Sequence, residues 1–295
     1  MSTLQVSNII GPDGVTIGGV SLTGVATQAE AEAGADNSKL MTSLRVAQAI
    51  DAQAAIFDYQ VFTASGTWNK PAGLSATATV FVEMWAGGGG GGRAGTAASN
   101  GSGGGGGGAY TSFLVLASEL GSSESVEVGS GGLGRTGSVG AGGTGGASTF
   151  GGVSVFGGNG GSGSEASLPN TRGGDGGTPY FTRTTFTALT YEGIAATKGE
   201  TSGGDIQAKV GTLGGGGGGA STILPSSSIY GGGGGAGSPT SAIGGTSVFG
   251  GNGGDGVLAN ILGLDGNIPA GGGGGAKNAN GGNGGRGEVR ITTRG

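Results

Sequence analysis

The chain has 295 residues, 81 of them glycine, a net charge of −5, and neither cysteine nor histidine. Glycine far above its ordinary share of about 7 % points away from a conventional side-chain core. The missing residues exclude disulfide frameworks, thiol nucleophiles, Cys/His zinc sites and imidazole acid–base chemistry. Charged residues are only 11 % of the chain and form no basic run, so binding of nucleic acid through its phosphates is not expected.

Just 6 glycines fall within the first 60 residues, so the chain has at least two parts. No apolar stretch approaches the roughly 18–20 residues of a bilayer-crossing helix. Residues Met1 to Ile10 lack the basic start and apolar core of a signal peptide. The expectation is a protein that acts in the cytoplasm or leaves the cell by lysis.

Thr27-Gln28-Ala29-Glu30 fits a capping box, in which Thr27 and Glu30 exchange side-chain-to-amide hydrogen bonds. Gly34 stops that helix, and Asp36-Asn37-Ser38 restarts the chain. A second helix is predicted from about Ser43 to Ala55, with Val46, Ala47, Ile50 and Ala54 as a narrow apolar stripe. About 60 such residues rarely support a core of their own, so association with copies or a partner is expected.

Period-two alternation then predicts strands. Ala76, Ala78, Val80, Val82 and Met84 share one face of the first. Tyr110–Ala117 is apolar on both faces at its centre and predicts deeper burial. Phe62–Trp68, Thr77–Trp85, Ala109–Ala117, Ser125–Val128 and Glu288–Thr292 are expected to form one sheet that joins the two ends of the glycine region.

Between these strands run Gly87–Gly92, Gly103–Gly108, Gly214–Gly219, Gly231–Gly235 and Gly271–Gly275. A flexible linker is the simplest account, but the tracts alternate with apolar segments. One octapeptide also recurs intact, Ser154-Val155-Phe156-Gly157-Gly158-Asn159-Gly160-Gly161 and Ser247-Val248-Phe249-Gly250-Gly251-Asn252-Gly253-Gly254. Collagen needs glycine at every third residue with much proline, and neither condition holds. Packed left-handed extended helices remain, at three residues per turn and about 3.1 Å per residue. The expected fold class is therefore mainly β and irregular: a short N-terminal helical segment, then a β-sheet framework with packed polyglycine-II-type helices.

Three insertions interrupt the glycine. The first, residues 164–202, holds Tyr180, Phe181, Arg183, Phe186 and Tyr191; the second holds Ile223, Leu224 and Tyr230; the third runs from Val257 through Asn260, Ile261 and Leu262 to Ile268. Tyr180, Phe181, Arg183, Phe186, Tyr191, Tyr230 and Asn260 are the candidate receptor-binding residues, since Tyr, Phe and Arg dominate binding hot spots. Burial is the competing reading for Tyr180 and Tyr230, and the favoured one for Ile223, Leu224, Ile261 and Leu262. Gly250–Leu258 fits one calcium β-roll nonapeptide, but such sites work as stacked copies and Ser162 replaces the aspartate in the twin word. Neither a metal nor a cofactor is expected. Glu165, Asp175, Glu192, Glu200, Asp205, Asp255 and Asp265 are scattered without the pairing a glycosidase needs, so no enzyme is expected.

Ala26–Gly34 with Lys39–Ile50 resembles a segment recurring in tailed-bacteriophage tail fibres, with Ser43 where the usual form has proline. Phe62-Thr63-Ala64-Ser65-Gly66-Thr67-Trp68-Asn69-Lys70-Pro71, leading to Val82–Ala86, resembles the start of the glycine-rich domain of phage fibre and adhesin proteins. Gly284–Ile291 resembles its closing strand. The resemblance implies a homotrimeric virion fibre that recognises a host-surface glycan or outer-membrane protein through loops between polyglycine helices. It divides the chain into an attachment segment (1–26) for a tail-tip or baseplate protein, a helical trimerisation segment (27–58), and a glycine-rich domain (59–295). A fibre shaft or adaptor that carries another adhesin is the alternative.

Overall fold

The computed structural model describes residues 15–17, 20–22, 25–34, 39, 41–53, 56–98, 101–164, 172–181, 210–211, 213, 215–220, 223–238 and 242–295. Two compact units divide the chain, 1–56 and 57–295.

In the first unit, β1 (Val15–Ile17) pairs antiparallel with β2 (Val20–Leu22). Helix α1 (Gln28–Ala33) begins at the expected capping box. The Thr27 hydroxyl oxygen accepts the Glu30 amide at 3.3 Å, and Glu30 Oε2 accepts the Thr27 amide at 2.9 Å. Gly34 closes the helix at φ 63°. Lys39 pairs with the Glu30 carboxylate. Helix α2 (Ser43–Gln53) lies against α1, and Ala54 and Ala55 fall outside the described residues. Its Leu44, Val46 and Ile50 are exposed within the single chain.

In the second unit the strands run, in chain order, β3 (Phe57–Phe62), β4 (Gly66–Asn69), β5 (Thr79–Trp85), β6 (Arg93–Ala94), β7 (Tyr110–Leu116), β8 (Ser123–Glu127), β9 (Ser148–Phe150), β10 (Val153–Val155), β11 (Pro179–Phe181), β12 (Val210–Gly211), β13 (Ser227–Ser228), β14 (Ala276–Lys277) and β15 (Glu288–Arg294). The expected single sheet is two. One is four-stranded in the order β3-β15-β5-β7, the other five-stranded in the order β11-β10-β9-β8-β4. The continuous strand expected over Phe62–Trp68 breaks at a bend over residues 63–65, which carries the chain from one sheet to the other. Trp68 thereby enters the core, its ring edge-on to Phe150 at 5.8 Å. Val80, Val82, Met84, Phe113, Val115, Val289 and Ile291 from the first sheet meet Trp68, Val126, Phe150, Val153 and Val155 from the second. The strand expected from Ala76 starts at Thr79 instead. There the Ser75 hydroxyl accepts the Thr77 amide and the Ser75 carbonyl the Ala78 amide, which makes a turn. From Ser112 onward β7 alternates rather than burying both faces, because only one face of its sheet packs against the other sheet: Phe113 and Val115 lie in the core, and Leu114 and Leu116 are half-exposed.

The glycine tracts leave this sandwich as packed extended helices. Gly87, Gly88 and Gly89 donate to Gly146, Gly285 and Gly106; Gly90, Gly91 and Gly92 then donate to Gly143, Gly282 and Gly103, at 2.8–2.9 Å. Their carbonyls accept, in the same order, from Gly158, Gly132 and Gly273, then from Gly161, Arg135 and Ala276. The partner changes with every residue and returns after three, as a threefold helix requires. Gly103–Gly108 repeats the pattern, donating alternately into 159–162, 216–219 and 270–273. In these two tracts each amide and carbonyl is satisfied by a neighbouring backbone, so this part of the core needs no side chains.

Candidate functional site

The tracts define a sheet end and a far end. At the sheet end Ala86 donates to the Ala109 carbonyl and Ala109 to that of Phe156. At the far end Arg93 donates to the Gly140 carbonyl and Asn278 to that of Ala94. Of the candidate recognition residues, Tyr230 lies at the first end and Asn260 at the second.

Tyr230 is a sheet-end residue. Its carbonyl accepts Trp85 Nε1–H at 2.7 Å, and its half-buried ring stacks between Tyr110 (5.2 Å, 18°) and Phe249 (4.8 Å, 10°). Burial pushes the Tyr110 phenol well above its ordinary pKa, and the hydroxyl donates to Glu83 Oε1 at 3.0 Å. Tyr180 and Phe181 lie on β11, the edge of the five-stranded sheet, opposite Ser154 and Val153. Arg183, Phe186 and Tyr191 lie outside the described residues. Asn260 belongs to the far end. It sits at φ 68°, its amide donates to the Lys277 carbonyl, and its side-chain oxygen accepts from Asn278 Nδ2. Close by, an Arg93 guanidinium N–H donates to Asn280 Oδ1 at 2.8 Å.

Ile223 is buried as expected, whereas Leu224, Ile261 and Leu262 are exposed. The segment 262–267 explains this in part. Gly263 and Gly266 face inward and donate to the carbonyls of Asn280 and Asn283, while the Leu264 and Asn267 carbonyls accept from Gly274 and Gly271. With glycine turned inward at every third residue, the larger side chains point out. Leu258, Ile261, Leu262, Leu264 and Ile268 are all exposed.

Of the carboxylates singled out in the sequence, Glu165, Glu192, Glu200 and Asp205 lie outside the described residues, and the other three are engaged. Asp175 pairs with Arg172 at 2.7 Å. Asp255 Oδ1 accepts the Gly244 amide at 2.8 Å, and Asp265 Oδ1 the Asn283 amide at 2.6 Å. The aspartate of the calcium-like word thus serves as a backbone staple. Among the described residues no three Asp or Glu side chains converge on an ion-sized space.

Sequence reasoning missed the outward residues of the repeated octapeptide. Phe156 and Asn159 are exposed, as are Phe249 and Asn252. In a threefold helix residues i and i+3 share a face, so the three-residue spacing was the available signal. A family model described as a glycine-rich domain matches residues 62–294. No curated protein matches the chain.

Proposed function

The chain belongs to the glycine-rich domain family, and from that premise we propose that it is a phage tail-fibre protein acting as a receptor-binding adhesin in host attachment. The observation that carries this reading is the exposed run of Leu258, Ile261, Leu262, Leu264 and Ile268 on a scaffold held by its own backbone. Exposed apolar patches of this kind mark interaction surfaces, and side chains on a rigid frame can vary without unfolding it. The three stretches that resemble tail fibres agree with it. The engagement of Asp175, Asp255 and Asp265 by Arg172 and backbone amides favours binding over catalysis.

In this reading residues 1–26 attach to a tail-tip or baseplate protein and 27–58 assemble a homotrimer. The glycine-rich domain meets a host-surface glycan or outer-membrane protein, and the protein resides in the virion tail fibre. Purified full-length chain should coat host cells and compete with phage for adsorption. Replacing Leu262 and Leu264 together by Asp should weaken that competition about thirtyfold, as loss of a binding hot spot does. A parent chain that does not compete overturns the reading in favour of a shaft or adaptor.

A further inference from the structure

The repeated octapeptide meets two different environments. In the first copy Ser154 and Val155 belong to β10, paired with β9 and β11, and Val155 is fully buried. In the second, Val248 and Phe249 lie in a bend, their amides donating to the Ile229 carbonyl, and Val248 is exposed. Yet both copies turn the same two side chains outward. Phe156 is 43 % exposed and Phe249 54 %, and Asn159 and Asn252 are exposed beside them.

In the first copy the pair forms one row on one helix. Phe156, Asn159 and Ser162 donate in turn to the carbonyls of Thr178, Asp175 and Arg172 of one neighbouring helix. Phe156 and Asn159 therefore stand one helical repeat apart, about 9 Å along the axis. In the second copy Gly251 and Gly254 donate to Pro269 and Gly272, so Asn252 lies on that helix and Phe249 in the bend that precedes it. Each phenylalanine keeps about half of its surface open to solvent.

We propose that these exposed Phe and Asn side chains bind saccharide rings of bacterial surface polysaccharide, an inference that rests on the adhesin reading and locates its ligand contacts. Phe249 is stacked on one face by Tyr230, which leaves its other face to the solvent as a rigid platform. The apolar C–H face of a pyranose fits an aromatic ring face, whose quadrupole attracts the positive edge of C–H bonds. Sugar hydroxyls both donate and accept, and planar amides offer both partners. Asn252 Oδ1 accepts the Ser247 amide, which orients its NH₂ donors. Beside the row of the first copy, Asn159, Ser162, Arg172 and Asp175 line an open groove of about 210 Å³.

The test uses full-length protein on an immobilised array of bacterial surface polysaccharides, with adsorption to host cells measured in parallel. The parent should bind at least one polysaccharide. Phe156→Ala and Phe249→Ala should each lose about tenfold in affinity, and the double variant more, with melting unchanged. Leu133→Ala, at an exposed residue outside both copies, should bind as the parent does. A parent that adsorbs to cells but binds no polysaccharide overturns this proposal and leaves the adhesin reading standing, with a protein receptor. Polysaccharide binding unchanged in the double variant also overturns it. A parent that does not adsorb to cells overturns the adhesin reading itself.

Discussion

At Gly106 an added Cβ would be driven into the carbonyl of Asp175, and at Gly105 into that of Gly89. Neither obstacle is a side chain that could swing away. Gly106→Val should therefore destabilise the domain by at least about 4 kcal/mol, because overpacking is compounded by loss of the hydrogen bond to the Asn159 carbonyl. Gly137 makes the contrast: nothing lies within 4 Å of its Cβ position, and only its φ of 72° resists a side chain. Gly137→Ala should cost about 1–2 kcal/mol. Urea unfolding of both variants checks the pair, and a Gly106→Val protein as stable as its parent would refute the packed bundle. Glu30 gives a second test at this scale. Its hydrogen bonds with Lys39, first, and Thr27 lower its pKa from 4.5 to about 2. A lowered carboxyl pKa stabilises above the unfolded value and ceases to do so as pH falls through the folded one. The cap on α1 should thus hold at pH 5 and be lost between about pH 4.5 and 2, read from the Glu30 carboxyl chemical shift.

The octapeptide shows how far elements were legible. Its glycine half fits a threefold helix in both copies, since only glycine tolerates such close backbones. Its Ser-Val-Phe half is decided by neighbours: β9 and β11 flank the first copy and make it strand, and the second has no such pair. Val155 is 0 % exposed and Val248 70 %. Val155→Asp should cost more than about 3 kcal/mol by burying an unpaired charge, while Val248→Asp should stay within about 0.5 kcal/mol. Chemical denaturation of the two variants decides whether one word has two structures. The capping box of α1 was readable because its partners are three residues apart. The division into two sheets was not, because it depends on a bend at 63–65 and on partners far away in the chain. Likewise Tyr230 looked like a loop residue until Trp85, Tyr110 and Phe249 converged on it.

Across the whole molecule the longest dependence is that of β15, which lies antiparallel between β3 and β5. The glycine excursion must be complete before that sheet can close, so folding waits on contacts of high sequence separation. Deleting residues 288–295 would open both flanking strands and remove Val289 and Ile291 from the core. The truncated chain should show neither native circular dichroism nor protease resistance. The proposed homotrimer rests on different physics. Helix α2 has 11 residues, below the roughly 12–15 at which an isolated helix becomes stable in water. Leu44 and Ile50 are each 63 % exposed, so the helix lacks the buried stripe that normally holds one. Packing those stripes together in three copies would supply the missing burial and triple the number of receptor contacts per fibre. Light scattering should therefore give three chain masses for the full-length protein and one for residues 57–295, the compact unit that lacks both helices. A full-length chain that stays monomeric at micromolar concentration would refute assembly through the helical segment.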